Sequence, residues 1–211
     1  MTSPTGRRFN DAVTRFWTRA APHYDLPFLQ ESVYRPPQDA VIGQLRAHGA
    51  TRVADIACGT GILAARIQAE LHPDEVHGVD MSDGMLEQAR VRSSAVHWHK
   101  APAERLPFAD GSLDAVVSTS AFHFFDQPAA MREFHRVLTT GGLVAVATIS
   151  PPLPKLLRAM TGPSSPAHNP SPDEMRTLFT EAGFRVTEQR RPARPLWTRA
   201  VWDLLTVGTK D

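Results

Sequence analysis

Val53-Ala54-Asp55-Ile56-Ala57-Cys58-Gly59-Thr60-Gly61 is the stretch of this chain that decides its fold. It is typical of a short apolar strand that carries an acidic residue and ends in a tight turn with two glycines. An amphipathic helix is predicted next, because Leu63, Ile67 and Leu71 recur at a spacing of four residues. The order strand, glycine turn, helix is typical of a nucleotide-type binding site that opens a doubly wound α/β fold.

Length and composition set limits on the class of protein. The 211 residues suit one α/β domain, and 42% hydrophobic content is ordinary for a chain that buries a full core. A net charge of +1 gives no hint of a nucleic-acid partner. The single cysteine cannot form an internal disulfide, which favours the cytoplasm. No signal peptide and no membrane-spanning run of about 18 apolar residues are expected.

Strand-like and helical segments alternate along the whole chain. We therefore predict an α/β, doubly wound, Rossmann-like seven-stranded sheet, mostly parallel with an antiparallel terminal strand, plus N-terminal helices. The predicted strands are 52–57, 76–80, 95–101, 113–118, 143–149, 184–189 and 201–209. One domain, 1–211, is expected to comprise an N-terminal helical cover (7–49, with a first helix over 7–21), a cofactor-binding core (50–150), a Pro-rich connection (151–171), and a C-terminal helix and strand pair (172–211).

Two glycines and a downstream aspartate form the candidate binding motif. Gly59 and Gly61 allow a tight turn and let a ligand approach the backbone with no Cβ in the way. Taken alone, they fit a plain strand-to-helix turn equally well. Asp80 follows Gly61 by 19 positions and ends the next strand, where a carboxylate can accept both hydroxyls of a ribose. The alternative role of Asp80 is to cap the next helix beside Ser82.

Asp55 separates two possible ligands. Gly59-x-Gly61-x-x-Ala64 also satisfies the loose dinucleotide pattern, so an NAD(P)-dependent oxidoreductase is the first alternative. The pyrophosphate of a dinucleotide would lie at this turn, and a carboxylate about 4 Å away would repel it by roughly 1–4 kcal/mol. The methionine end of S-adenosylmethionine carries an ammonium and a sulfonium, which a carboxylate attracts. Asp55 therefore favours S-adenosylmethionine.

A resemblance to a known family rests on five segments that occur in one order with one spacing. They are 55–61 (DIACGTG), 79–82 (VDMS), 103–108 (AERLPF), 112–118 (SLDAVVS) and 136–142 (RVLTTGG). Together they resemble class I S-adenosylmethionine-dependent methyltransferases, in particular the ubiquinone/menaquinone-biosynthesis-like group of small-molecule methyltransferases. The resemblance is strong over residues 50–150 and weaker in the N-terminal helices.

The resemblance implies a set of contacts with S-adenosylmethionine. These are Asp55, Ala57, Gly59 and Gly61 around the methionine end, Asp80 at the ribose, Met81, Ala103 and Glu104 at the adenine, and Ser118 closing the site. In one place the chain departs from the family. The family commonly has Gly-Asp where this chain has Ala101-Pro102, so the adenine amino group needs another acceptor, for which Glu104 or a backbone carbonyl is available.

Methyl transfer chiefly requires alignment of the acceptor, and a general base is optional. His123 is a candidate base, with a structural or substrate-wall role as the alternative. The resemblance also implies that Tyr24 can fold over the cofactor, although it could equally pack within a surface loop. An aromatic substrate pocket could be formed by Trp17, Phe122, Phe124 and Phe125.

Other features of the sequence favour no additional chemistry. His97 and His99 alternate on one face of a strand without a convincing carboxylate or cysteine nearby, so no metal is expected. A solvated hairpin is the expected setting of five arginines, namely Arg185, Arg190, Arg191, Arg194 and Arg199. The alternative is that they recognise an acidic substrate or partner. The sequence thus predicts a methyltransferase, monomeric or homodimeric, acting on a small, largely apolar acceptor, with oxygen as the first expectation for the accepting atom. A non-methylating S-adenosylmethionine-binding protein, either a partner subunit or a cyclase-like enzyme, is the second alternative.

Overall fold

The computed structural model describes residues 28, 30–151, 168–195, 198 and 201–211. The predicted helix over 7–21 and most of the Pro-rich connection lie outside the described residues. The strands are Arg52–Ile56 (β1), Glu75–Asp80 (β2), His97–Lys100 (β3), Leu113–Thr119 (β4), Leu138–Ile149 (β5), Phe184–Arg190 (β6) and Asp203–Lys210 (β7). The α-helices are Arg35–His48 (α1), Ile62–Leu71 (α2), Asp83–Arg92 (α3), Gln127–Val137 (α4) and Pro172–Glu181 (α5). A π-helical turn, Gln30–Tyr34, precedes α1, and a 3-10 turn, Phe122–Phe124, precedes α4.

All seven strands form one sheet in the order β3-β2-β1-β4-β5-β7-β6. The strand β7 is antiparallel to both of its neighbours, β5 and β6, and the other pairings are parallel. The predicted mostly parallel sheet with one antiparallel strand is therefore confirmed. The strand order reverses between β1 and β4, which leaves a crevice at their carboxyl ends where ligands bind in folds of this type.

Helices cover both faces of the sheet. Along β5, Val144 and Val146 face one side, where Phe134 of α4 and Phe179 of α5 complete a buried cluster. Ala145 and Ala147 face the other side, in a cluster that includes residues of α1 and α2. Burial on both faces explains why the central strands are nearly continuous apolar runs. No helix in the described part of the chain is long and apolar enough to cross a membrane.

Local sequence signals match the helix starts. Ser171 accepts a hydrogen bond from the backbone N–H of Glu174, and the Glu174 carboxylate accepts one from the backbone N–H of Ser171. This reciprocal pair is the capping box that the sequence predicts at the start of α5.

The start of β5 was predicted less well. It begins at Leu138 rather than Leu143, because Leu138 pairs with Leu113 ahead of an irregularity in the ladder between Leu113 and Ala115.

Trp98 in β3 is packed against two glycines of neighbouring segments. A Cβ at Gly78 in β2 would lie 2.3 Å from the indole ring, and a Cβ at Gly61 would lie 2.4 Å from it. The indole N–H donates to the carbonyl oxygen of Ser93 at 3.0 Å, which fixes the ring. Gly61 also has φ of +79°. Packing and backbone conformation therefore both require glycine at this turn.

We expect Gly78→Ala to lower the free energy of unfolding by about 1–3 kcal/mol, because the added methyl group overpacks the indole site. Urea denaturation measures the change. Gly43→Ala is the control, since nothing lies within 4 Å of a Cβ at this position in α1, and it should be neutral or stabilising. The double variant with Gly78→Ala and Trp98→Leu should lose less free energy of unfolding than the sum of the losses in the two single variants. Additive losses would contradict the packing explanation.

Candidate functional site

A cavity of about 280 Å³ opens at the carboxyl ends of the central strands. Its floor includes Ala57 and Gly59 after β1, Asp80 at the end of β2, and Thr119 and Ser120 at the end of β4. The cavity therefore lies at the point where the strand order reverses, as the topology predicts. Its size is close to the lower end of small-molecule sites, which start at roughly 300 Å³.

The backbone is in an unusual conformation at the cavity floor. Ala57 has φ of 56° and Ser120 has φ of 58°, and both residues line the cavity. Such left-handed conformations at non-glycine residues cost about 1–3 kcal/mol and occur at ligand sites. Backbone hydrogen bonds hold both turns, since the Ser120 N–H donates to the carbonyl of Ala147 and the Cys58 N–H to that of Val79. The floor is therefore preformed by the sheet.

Asp80 joins the glycine turn after β1 to the segment that begins α3. Its Oδ2 accepts a hydrogen bond from the backbone N–H of Gly59 at 2.9 Å, and its Oδ1 accepts one from that of Ser82 at 2.8 Å. Burial raises the pKa of Asp80, and the backbone donors oppose this shift. Each carboxylate oxygen retains a second lone pair that can accept a hydrogen bond from a ligand hydroxyl. The two roles considered for Asp80, support of the next helix and ribose binding, are therefore compatible.

An apolar slot lies beside Asp80. Met81, Met85, Ala101 and Ala103 line it together with Glu104. The Glu104 carboxylate accepts a hydrogen bond from the backbone N–H of Asp126 at 2.8 Å, and burial raises its pKa. A largely apolar slot with one fixed carboxylate suits a nucleobase.

Asp55 lies beneath the glycine turn rather than in the cavity lining. It is 1% exposed, and it accepts a hydrogen bond from the backbone N–H of Ala64 in the first turn of α2. Burial, and then the nearby charge of Asp80, raise the pKa of Asp55 well above its usual range. Its Oδ2 has no hydrogen-bond partner. The structure thus gives Asp55 a supporting position under the turn, and Asp55 is not among the residues that line the cavity.

Three further predicted residues lie outside the cavity lining, each for a physical reason. Gly61 faces the Trp98 indole. Ser118 is fully buried in β4, and its Oγ has no hydrogen-bond partner. Phe122 is fully buried in the core, with its ring centroid 5.7 Å from that of Phe125, so it is a core residue rather than a wall of this cavity.

The other predicted site residues are brought together by the fold. His123, Phe124 and Phe125 line the cavity after β4. They accompany Ala57, Gly59, Asp80, Met81, Ala103 and Glu104, all of which also line it. Tyr24 and Trp17 lie outside the described residues.

A buried ion pair that the sequence did not reveal includes one residue of the cavity lining. Arg194 donates to the carboxylate of Asp203, a residue that lines the cavity, and their side chains are only 4% and 3% exposed. The same guanidinium donates to the carbonyl oxygens of Ser32 at 2.9 Å and Val33 at 2.7 Å. The prediction of a solvated position is wrong for Arg194. A single arginine among five carries no local signal of burial, because its partners are the Asp203 carboxylate in β7 and two backbone carbonyls that are distant in sequence.

The histidines near the sheet edge contact one another. His77 Nδ1 lies 3.2 Å from His99 Nε2, and the ring centroids of His77 and His97 are 5.2 Å apart. Burial lowers the pKa of both His77 and His99. Within the described residues, no group of three or more histidine, cysteine or acidic side chains could hold a metal ion.

The chain is similar in sequence and in fold to known methyltransferases. Residues 54–146 match the family described as a methyltransferase domain. Among curated proteins, the chain is 29% identical to a demethylmenaquinone methyltransferase of Deinococcus radiodurans, covering 83% of this chain and 86% of the relative. It is 32% identical to the demethylmenaquinone methyltransferase of Thermus thermophilus, covering 64% and 74% respectively.

A solved structure of a methyltransferase from Thermotoga maritima, described as SAM-dependent, has the same fold, with a TM-score of 0.69 at 24% identity over 93% of this chain and 99% of that chain. The comparisons give the oxidoreductase alternative no support. The glycine turn, the Asp80 bridge and the adjoining slot fit the cofactor of these enzymes. The chain belongs to the S-adenosylmethionine-dependent methyltransferases of small molecules.

Proposed function

We propose that this enzyme methylates a small, largely apolar acceptor, with oxygen as the first expectation for the accepting atom and nitrogen or carbon next. The observation that carries the proposal is that one cavity is lined both by Asp80 with the apolar slot and by His123, Phe124 and Ile149. We assign the first group to adenosine and the second to the acceptor. The relatives named as demethylmenaquinone methyltransferases support an apolar acceptor.

Different residues of the cavity would contact different parts of the cofactor. Asp80 would accept the ribose hydroxyls, Met81 and Ala103 would contact the adenine, and Ala57 and Gly59 would border the methionine end. S-adenosylmethionine supplies a methyl group on a cationic sulfur. The carbon–sulfur bond breaks as the bond from the acceptor to the methyl carbon forms, which leaves S-adenosylhomocysteine, and the acceptor releases a proton when it carries one. The enzyme's task is to align the acceptor and exclude water.

His123 has the properties of a neutral hydrogen-bond acceptor. Burial lowers its pKa to about 4, and its Nδ1 is buried without a hydrogen-bond partner. The ring packs at 4.0 Å from that of Phe124. A neutral imidazole at pH 7 can accept a hydrogen bond from an acceptor hydroxyl, whereas such a low pKa makes it a weak general base. We therefore propose that His123 orients the acceptor, and Tyr24 is retained as a second candidate.

Three wider expectations are carried forward as part of the proposal. They are a single methyltransferase domain, a monomer or homodimer, and a cytoplasmic location. The single cysteine supports the last of these.

Asp80→Ala should weaken binding of S-adenosylhomocysteine by at least about tenfold, because the change removes the ribose acceptor and frees the glycine turn. Isothermal titration calorimetry measures the affinity. Asp83→Ala is the matched control, since its side chain is 66% exposed and pairs with Lys100 outside the cavity. The control should stay within about twofold of the unmodified enzyme. Equal affinities for the two variants would contradict the assigned role of Asp80.

His123→Ala should lower methyl transfer by more than about tenfold, because the acceptor loses an orienting partner. Transfer of a tritiated methyl group to a panel of apolar phenols, amines and quinols provides the assay. The affinity for S-adenosylhomocysteine should change by less than about twofold, since His123 is assigned to the acceptor. Unchanged transfer would remove His123 from the mechanism. Failure of the unmodified enzyme to methylate any apolar acceptor would contradict the proposed function.

The buried His123 should also make stability depend on pH. In the folded protein its pKa is about 4, below the value of about 6.5 for an unfolded chain. The neutral form therefore stabilises the fold fully above pH of about 6.5, and the benefit is lost as pH falls towards 4. Urea denaturation should show that the unmodified protein loses about 1–3 kcal/mol more over this interval than His123→Asn does. His48→Asn, at an exposed site in α1, should match the unmodified protein, and equal slopes for all three proteins would contradict the prediction.

A further inference from the structure

Ionisable groups are unevenly distributed around the cavity. Three carboxylates line it, those of Asp80, Glu104 and Asp203, together with the His123 imidazole. The described lining residues include no lysine or arginine. Asp80 and Glu104 are assigned to adenosine under the proposed function. Asp203 is therefore the lining carboxylate that is left for the acceptor.

Asp203 lies among apolar side chains. It is the first residue of β7 and pairs in register with Ile149 of β5. Ile149, Val201 and Val33 line the cavity with it. An acceptor that contacts this region therefore meets one carboxylate set in an otherwise apolar wall.

Arg194 fixes that carboxylate from behind. Its side chain is buried, pairs with Asp203 and does not belong to the cavity lining. Its other donated hydrogen bonds go to the carbonyl oxygens of Ser32 and Val33. The guanidinium thus anchors the turn that carries Val33 and holds Asp203 in one orientation. These contacts engage Nη1 and Nη2, whereas Nε is buried without a hydrogen-bond partner. Because Arg194 does not line the cavity, an acceptor there meets the Asp203 carboxylate rather than the guanidinium.

We propose that Asp203 determines acceptor specificity by accepting a hydrogen bond from a hydroxyl, amine or ammonium group of the methyl acceptor. An acceptor that presents a carboxylate at this position is rejected, because neither that carboxylate nor the carboxylate of Asp203 carries a proton for a hydrogen bond between them. The proposal rests on the proposed function and narrows its acceptor class to neutral or cationic molecules. Arg194 is the positioning residue for Asp203.

The test uses naphthol, naphthylmethylamine and naphthoate, which share one apolar skeleton and differ in the polar group. Calorimetry measures their binding to the complex of the enzyme with S-adenosylhomocysteine. We expect naphthol and naphthylmethylamine to bind at least about tenfold more tightly than naphthoate. In Asp203→Asn this ratio should fall below about threefold, while the affinity for S-adenosylhomocysteine stays within about twofold. Glu181→Gln, exposed at the end of α5, should keep the ratio of the unmodified enzyme.

Asp203→Asn leaves Arg194 without its charged partner and could impair folding. Ile149→Lys provides an independent test, because Ile149 is 36% exposed and pairs with Asp203 in register. The added ammonium should raise the affinity for naphthoate by about tenfold. Naphthoate binding as tightly as naphthol to the unmodified enzyme, or unchanged ratios in the folded variants, would overturn the proposal. If the enzyme binds S-adenosylhomocysteine but none of the three probes, the proposal for Asp203 is also overturned. If the enzyme does not bind S-adenosylhomocysteine, the result contradicts the proposed function instead.

Discussion

The carboxylate of Asp80 is the constraint on which the site depends. It accepts one hydrogen bond from the glycine turn after β1 and another from the start of α3. Two segments that are adjacent only because β1 and β2 pair in the sheet are thereby fixed to each other. The same side chain faces the cavity, so the group that organises the backbone is also the group available to a ribose. In the proposed cofactor complex, structure and ligand binding therefore share one carboxylate.

The surrounding packing keeps this arrangement rigid. Trp98 fills the space above Gly61 and Gly78, and Asp55 supports the first turn of α2 from beneath. Sheet hydrogen bonds hold the left-handed backbone at the cavity floor. Arg194 has the corresponding role at Asp203, because it joins this carboxylate to the turn before α1. Two of the carboxylates that line the cavity are thus fixed by donors from other segments.

Features that depend on residues close together in the sequence could be predicted from the sequence. The apolar strands, the capping box at Ser171 and the Asp80 spacing follow from short-range patterns, and the family resemblance followed from segments in register. Side-chain direction could not be predicted as well. Phe122 was assigned to the pocket and is in the core, because a 3-10 turn places neighbouring aromatic rings on different sides. Arg194 was missed since its partners are distant in sequence.

The central claim is that Asp80 and the slot beside it hold the adenosine of S-adenosylmethionine while the wall with His123 and Asp203 faces the acceptor. A crystal structure of the complex with S-adenosylhomocysteine tests it most directly. The account predicts ribose hydroxyls within about 3 Å of the Asp80 carboxylate, adenine between Met81 and Ala103, and the sulfur directed towards the end with His123 and Asp203. A ligand bound in the reverse orientation, or one making no contact with Asp80, would contradict the account.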